Sequence, residues 1–483
     1  MNPNSADLTY MSAAEQGRLI RDRKLSPVEL MQSCLARIER WNPVLRAYIT
    51  VCADSALAEA RAAERDIIAG RWRGPLHGLP FGVKDQLNTK GIKTTLGSRM
   101  LGDNVPDHDA AVIEKLRAAG AILIGKENLH EFGKGGTIDF AYGQPRNPWN
   151  IEHNPASSSS GSGIAPAAGF TSGSLGEDTG GSIRSPAAAN GIVGLRPTFG
   201  RVSRWGGVMY GWTADTIGPL TRTVEDNALF LQAIAGHDPR DPLTSTWPVP
   251  DYAKALTGNI SGLKIGVVRE LCWPDGAHPE VTAAMRAATA VMTGLGATIR
   301  EISLPKAKYA VPLQLLTSDS DIAAMMLKHW LRTHWHDMDT GTRTRLAAGA
   351  LIPAAVYHRA MRARVLVRRE VLAALQDCDV LVCPSSLSPP GRIDATRETV
   401  DSPEAMQKKV LLRRISTYPF SMANVPALAL PMGFSKAGLP LSLQVAGKPF
   451  AEETVFRVGH AYEQATPWHA RHPDLAKIAV TPG

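Results

Sequence analysis

Asn154–Pro186 reads NPASSSSGSGIAPAAGFTSGSLGEDTGGSIRSP. Composition alone makes this a flexible Gly/Ser linker. Its apolar residues argue otherwise, because Ile164, Ala165, Ala167 and Ala168 stand between the two serine groups, and Ile183, Ala187–Ala189, Ile192, Val193 and Leu195 follow. A loop so flanked is held inside a core. Within it, Ser157–Ser160 form a serine cluster and Asp178–Arg184 reads DTGGSIR. Glycine accepts φ > 0 and lets backbone N–H groups approach a ligand closely, so Thr179, Gly180 and Gly181 ahead of a serine form a cradle of donors for an oxyanion. Ser182 is then the candidate nucleophile.

A serine nucleophile needs a base. Gly78–Asp85 reads GLPFGVKD, and Lys84 ends a short apolar run bounded by Gly and Pro, the pattern of a buried strand whose last side chain points into a site. GLPFGVKD, the serine-rich segment and Glu177–Ser203 (EDTGGSIRSPAAANGIVGLRPTFGRVS) together resemble the amidase signature family, and the resemblance runs from about residue 10 to residue 465. That resemblance implies a Ser-Ser-Lys triad of Ser182 as nucleophile, Lys84 as base and a bridging serine, after a cis peptide bond, 24 residues ahead of the nucleophile at Ser158. Where the family usually has Pro-Gly-Gly-Ser-Ser-Gly-Gly, this chain has Pro155-Ala156-Ser157-Ser158-Ser159-Ser160-Gly161, so Ser157 and Ser159 are alternative bridges. The implied fold is a single large α/β/α domain with a central mixed, twisted β-sheet flanked by helices.

The resemblance also brings further segments to the site. Residues 127–148 pass it, so Phe132, Gly133 and Lys134 are expected against substrate. Trp205–Trp212 (WGGVMYGW) lies beside it, so Met209, Tyr210 and Trp212 are expected to wall an acyl or aryl pocket, although the residues alone read as core packing. Asp178 and Arg184 are expected to pair as structural support. Glutamine-using amidotransferase subunits of the family commonly carry an aspartate, which helps hold the substrate's ammonium, just before their counterpart of Ile415-Ser416-Thr417; here that place is Arg414. The reversed charge argues against glutamine as donor. Hydrophobic amides, anilides, aryl carbamates or esters are the expected substrates. The alternatives are an inactive amidase-fold binding protein and a glutamine-hydrolysing amidotransferase subunit.

An ammonium cannot accept a proton, so the triad requires Lys84 as a neutral amine, which burial favours. No metal or cofactor is expected. His130 lacks a second histidine four residues on, where Lys134 stands, and no Gly-rich nucleotide motif follows a strand. His329, His334 and His336 lie close in sequence without supporting ligands and read as surface or lid residues.

With 483 residues and 44% hydrophobic content, the chain can bury a large core. Its net charge of +8 arises from 53 basic against 45 acidic residues, too small an excess for a nucleic-acid partner. No apolar run reaches membrane-spanning length, and Met1–Tyr10 lacks a signal-like pattern, so a soluble cytoplasmic protein, monomer or homodimer, is expected. The five scattered cysteines are expected as buried thiols. One domain over 1–483 is anticipated: N-terminal helices about 10–70, a catalytic core about 71–237, a Pro-rich linker about 238–250 and a second half about 260–465. Capping patterns at Ser12 and Ser26-Pro27 mark two helix starts, and Arg359, Arg362, Arg364, Arg368 and Arg369 read as a solvated helix face.

Overall fold

Two serines start the N-terminal helices. In the computed structural model, which describes residues 8–326, 333–393 and 402–478, the Ser12 hydroxyl accepts the Glu15 N–H at 3.1 Å. Ser26 accepts from Val28 N at 3.0 Å and Glu29 N at 3.3 Å, ahead of Pro27 at the first helical position. These caps satisfy donors that have no partner inside the helix. The Pro27–Leu45 helix buries Leu30, Met31, Cys34, Ile38 and Trp41 along one side and stops at Arg46, whose φ is 52°.

Among the described residues, all eleven strands join one mixed sheet: β1 (Tyr48–Val51), β2 (Pro80–Lys84), β3 (Ile122–Glu127), β4 (Gly173–Asp178), β5 (Val193–Arg196), β6 (Thr216–Thr221), β7 (Lys264–Val268), β8 (Thr298–Ile302), β9 (Val380–Pro384), β10 (Ala427–Phe434) and β11 (Pro440–Gly447). The spatial order is β1-β3-β2-β4-β6-β5-β10-β11-β9-β7-β8. Strands β2, β3 and β4 run parallel, as do β7, β8 and β9. The remaining pairs are antiparallel, and β5 against β10, with Leu195 opposite Leu428, carries the ladder from the first half of the chain into the second. The buried strands β2, β3 and β4 expose no residue on either face, which is why they read as unbroken apolar or small-residue runs rather than alternating ones. The molecule is a single α/β domain with helices on the sheet.

The Pro-rich segment 238–250 carries no helix or strand. Asp238 accepts from Ser203 Oγ at 2.8 Å, Asp241 from Arg204 N at 2.9 Å, and the Arg240 guanidinium lies 4.0 Å from the centre of the Trp205 ring. The arginine run departs from its expected role: Arg364 is buried and donates to the Thr213 carbonyl, and Arg368 donates to the Ala423 carbonyl, tying the Ala354–Asp377 helix to the Tyr418–Ala423 helix. Four of the five free cysteines are buried and Cys52 is half-buried. His329 lies outside the described residues, and His334 pairs with Asp337 at 3.0 Å. Among the described residues, no helix is long and apolar enough to cross a membrane, and no cluster of three His, Cys, Asp or Glu side chains is arranged to hold a metal.

Candidate active site

Strands β2 and β4 are parallel neighbours, with Val83 opposite Leu175. Their carboxyl ends therefore share one edge, where open α/β sheets place their ligands. Lys84 is the last residue of β2, and Glu177 the penultimate residue of β4. Lys84 Nζ lies 2.9 Å from Ser158 Oγ and 3.0 Å from Glu177 Oε2. None of the three exposes more than 1% of its surface.

The serine cluster sorts itself by contact. Ser158 follows a cis peptide bond from Ser157 and is the member that meets Lys84. Ser157 instead accepts from Arg414, and Ser159 Oγ donates to the Glu177 carbonyl at 3.2 Å. Ser159 N donates to the Ser182 carbonyl at 3.3 Å, which joins the serine loop to the DTGGS turn. Beyond Ser159 the chain enters the fully buried Ser160–Ala167 helix. There Gly161 admits no side chain: a Cβ would lie 2.2 Å from the Ala47 carbonyl oxygen.

Asp178 organises the turn. Its carboxylate accepts Gly181 N at 2.6 Å and Ile183 N at 3.1 Å, and pairs with Arg184 at 3.1 Å and Arg196 at 3.3 Å. Burial would push this carboxyl up, but the two guanidinium groups outweigh it and hold it well below the usual carboxylate range. Arg184 reaches on to Gln444 Oε1 at 2.7 Å and Ser421 Oγ at 2.6 Å, fastening the turn to the second half of the sheet. A carboxyl whose folded pKa is depressed contributes stability above its unfolded pKa and loses it as pH falls, so stability should drop below about pH 4. Asp178→Asn, which strands two buried guanidinium groups, should cost about 3–5 kcal/mol in urea unfolding at neutral pH. A variant as stable as the parent would remove Asp178 from this organising role.

The Asp178 contacts correct one expectation. The Gly181 N–H is committed to Asp178 and is not a free donor to an oxyanion. Gly181 is needed for its conformation: its φ is 117°, and a Cβ there would lie 2.7 Å from Thr417 Oγ1 and 2.9 Å from Arg414 Nη1. Thr179 and Gly180 do face the site, with Gly180 packed under Tyr418.

Glu177 was not foreseen from the sequence. It accepts from Thr179 Oγ1 at 2.8 Å as well as from Lys84. Burial pushes its carboxyl up, Lys84 opposes this, and Asp215 adds to it. Its one legible signal was a carboxylate at the end of a strand otherwise made of small residues.

Ser182, 9% exposed, opens onto a cavity of about 50 Å³ lined by Gly133, Lys134, Thr179, Gly180, Tyr210, Gly211, Gln314, Ser318, Arg345, Arg414 and Tyr418. A larger cavity of about 310 Å³, lined by residues such as Trp149, Arg222 and His469, includes none of Lys84, Ser158 and Ser182. The smaller one is the candidate site, because Ser182 lines it and its carbonyl accepts from Ser159 N, next to the Ser158 that meets Lys84.

The expected apolar wall is largely missing. Gly133 and Tyr210 line the cavity, but Phe132 is wholly buried in a cluster with Leu96, Ile322 and Leu346. Met209 packs over Gly207. Trp212, expected in the pocket, is 62% exposed and lies over Arg204. The aromatic stretch alternates around its glycines, so only part of it turns inward. The rest of the lining comes from helices Ala310–Met326, Thr340–Ala350, Pro403–Arg414 and Tyr418–Ala423, whose sequences carry no catalytic motif.

The chain is similar to known proteins. The Amidase family model matches residues 29–456. The A subunit of glutamyl-tRNA(Gln) amidotransferase from Chloroflexus aggregans is 41% identical over 98% of this chain and 99% of that protein. The structure of peptide amidase from Stenotrophomonas maltophilia superposes with a TM-score of 0.82 at 31% identity, covering 96% of this chain and 98% of that one. A bacterial aryl acylamidase of the amidase signature enzymes gives 0.87 at 28% identity, covering 98% and 99%. With a family match over most of its length and relatives aligned almost end to end, the chain belongs to the amidase signature family.

Proposed function

We propose that the protein is a serine amidohydrolase that cleaves amide C–N bonds through an acyl-enzyme on Ser182. The observation that carries this is the buried contact of Lys84 Nζ with Ser158 Oγ at 2.9 Å, beside a serine that opens onto a cavity. As a neutral amine, Lys84 accepts the Ser158 proton while its own N–H groups donate to Glu177. Ser158 in turn accepts the Ser182 proton as Ser182 Oγ attacks the amide carbon. The oxyanion is held by the N–H groups of Thr179, Gly180 and Ser182. Collapse breaks the C–N bond, and the proton returns through Ser158 to the departing nitrogen. Water then attacks the ester, gives its proton to the same relay and releases the acid, and Ser182 recovers its hydrogen.

Glutamine hydrolysis within an amidotransferase is the second reading, favoured by the 41% identity to a component of such an enzyme. Two assays separate the readings. A fluorophosphonate should add its mass to the peptide containing Ser182, and an amide panel should release ammonia from simple amides faster than from glutamine. Labelling elsewhere would defeat the nucleophile assignment. Glutamine as the best donor, with activity rising on addition of partner subunits, would favour the second reading.

A further inference from the structure

The walls of the active-site cavity are cationic. Lys134, Arg345 and Arg414 all line it. Asp319 is the carboxylate behind them, 2.6 Å from Lys134 Nζ and 2.8 Å from Arg345 Nη2. Among the described residues Arg414 has no carboxylate within ion-pair distance. Its guanidinium donates to Ser185 Oγ at 2.8 Å and to Ser157 O and Oγ at 3.0 Å each. Those bonds use three of the five N–H groups an arginine carries, and Nη1 stands 2.9 Å from where a Gly181 Cβ would be, directly beside the nucleophile.

A loop clamp is the simpler account of Arg414, since it ties Ser157 to Ser185. Neutral donors could do that without placing a charge beside two other cations, and a half-buried guanidinium without a counter-charge is costly. Two further atoms point to a ligand. Tyr210 and Gln314 both line the cavity, and among the described residues the buried Tyr210 hydroxyl and Gln314 Oε1 have no hydrogen-bond partner. Buried polar atoms are normally satisfied. A carboxylate would accept from the arginine and the tyrosine, and an amide N–H would donate to Gln314.

We propose that the site selects small amides that carry a carboxylate, with Arg414 as the main recognition residue and Arg345 and Lys134 supporting it. This deepens the amidohydrolase reading and rests on it for turnover. A cavity of about 50 Å³ holds roughly four water-sized groups, so the carboxylate is a few bonds from the scissile carbonyl. The same cations repel an ammonium. Glutamine, which has both charges, therefore binds less well than its analogue lacking the amine.

Glutaramate, pentanamide and glutamine share one five-carbon chain and test this directly on the full-length protein. Glutaramate should exceed each of the others in kcat/KM by about tenfold or more, the scale of a charge-assisted hydrogen bond. Arg414→Met should collapse the glutaramate-to-pentanamide ratio, and Arg414→Glu should invert it. A wild-type ratio of one or less, or a ratio unchanged in a folded Arg414→Met protein, overturns the inference. Glutarate binding by calorimetry needs no turnover: the native protein should bind it, and Arg414→Met should weaken it about tenfold. No binding by the folded native protein overturns the inference, whereas glutarate binding without hydrolysis of any amide overturns the amidohydrolase reading alone.

Discussion

Ser182→Ala should lose about 10⁴-fold or more of amide turnover while melting within a degree or two of the parent. The magnitude follows from how relay groups act as a unit: once the nucleophile is gone, base and bridge have nothing to activate, and only binding and the N–H cradle remain. The fold should survive because the change removes one oxygen from a side chain at the edge of the cavity, whereas the turn is held by the backbone and by Asp178. Ser159 N still donates to the residue 182 carbonyl, so the serine loop keeps its place. Steady-state kinetics and a thermal melt check both halves. A folded variant with turnover near that of the parent would show that another group attacks the substrate.

Lys84→Met should be nearly as inactive, for a different reason. Methionine fills the volume of the lysine stem but offers no basic nitrogen, so the Ser158 proton has no destination. Steady-state kinetics on the folded variant check this, and turnover near that of the parent would count against a lysine base.

The stability of Lys84→Met carries its own pH signature through Glu177. Burial already pushes that carboxyl up, and Lys84 opposes the shift. Removing the lysine raises it further. A carboxyl whose folded pKa lies above its unfolded value contributes its stability at low pH and loses it as pH rises through the folded pKa. The variant should therefore sit close to the parent near pH 5 and fall progressively behind towards pH 8 and above, as Glu177 is forced to ionise without a partner. Urea unfolding at two pH values measures the gap. A gap independent of pH would mean that Glu177 does not respond to Lys84, despite the 3.0 Å contact.

Local chemistry was readable without coordinates. Lys84 closes a short apolar strand, Ser182 follows two glycines, and Asp178 and Arg184 bracket the turn, so each role is written in a few consecutive residues. The family resemblance, with its 24-residue spacing, implied Ser158 among four adjacent serines while Ser157 and Ser159 stayed open, and the contact with Lys84 falls on Ser158. Helix starts at Ser12 and Ser26 were equally local, because a cap depends on residues two or three positions away. Strand register, the commitment of the Gly181 N–H and the role of Glu177 were not readable. Each depends on which atom of a distant or neighbouring strand arrives at hydrogen-bond distance, and nothing in a local pattern measures that.

The cavity lies furthest beyond the sequence. Gln314, Ser318, Arg345, Arg414 and Tyr418 come from four helices more than 130 residues past Ser182, where all but Arg414 read as ordinary helical residues. The Trp205–Trp212 stretch, which the family resemblance implied as a pocket wall, turns Trp212 to solvent. The sequence by itself determined the family, through contiguous motifs, and the resemblance those motifs carry implied the sheet-and-helix architecture and the candidate reacting groups Lys84, Ser158 and Ser182. Tertiary structure alone decided the walls around the candidate reacting groups, since a wall is made by whichever faces of separate helices the packed sheet brings together, and there it set Arg345 and Arg414 beside Lys134 in place of the apolar side chains expected from Phe132, Met209 and Trp212.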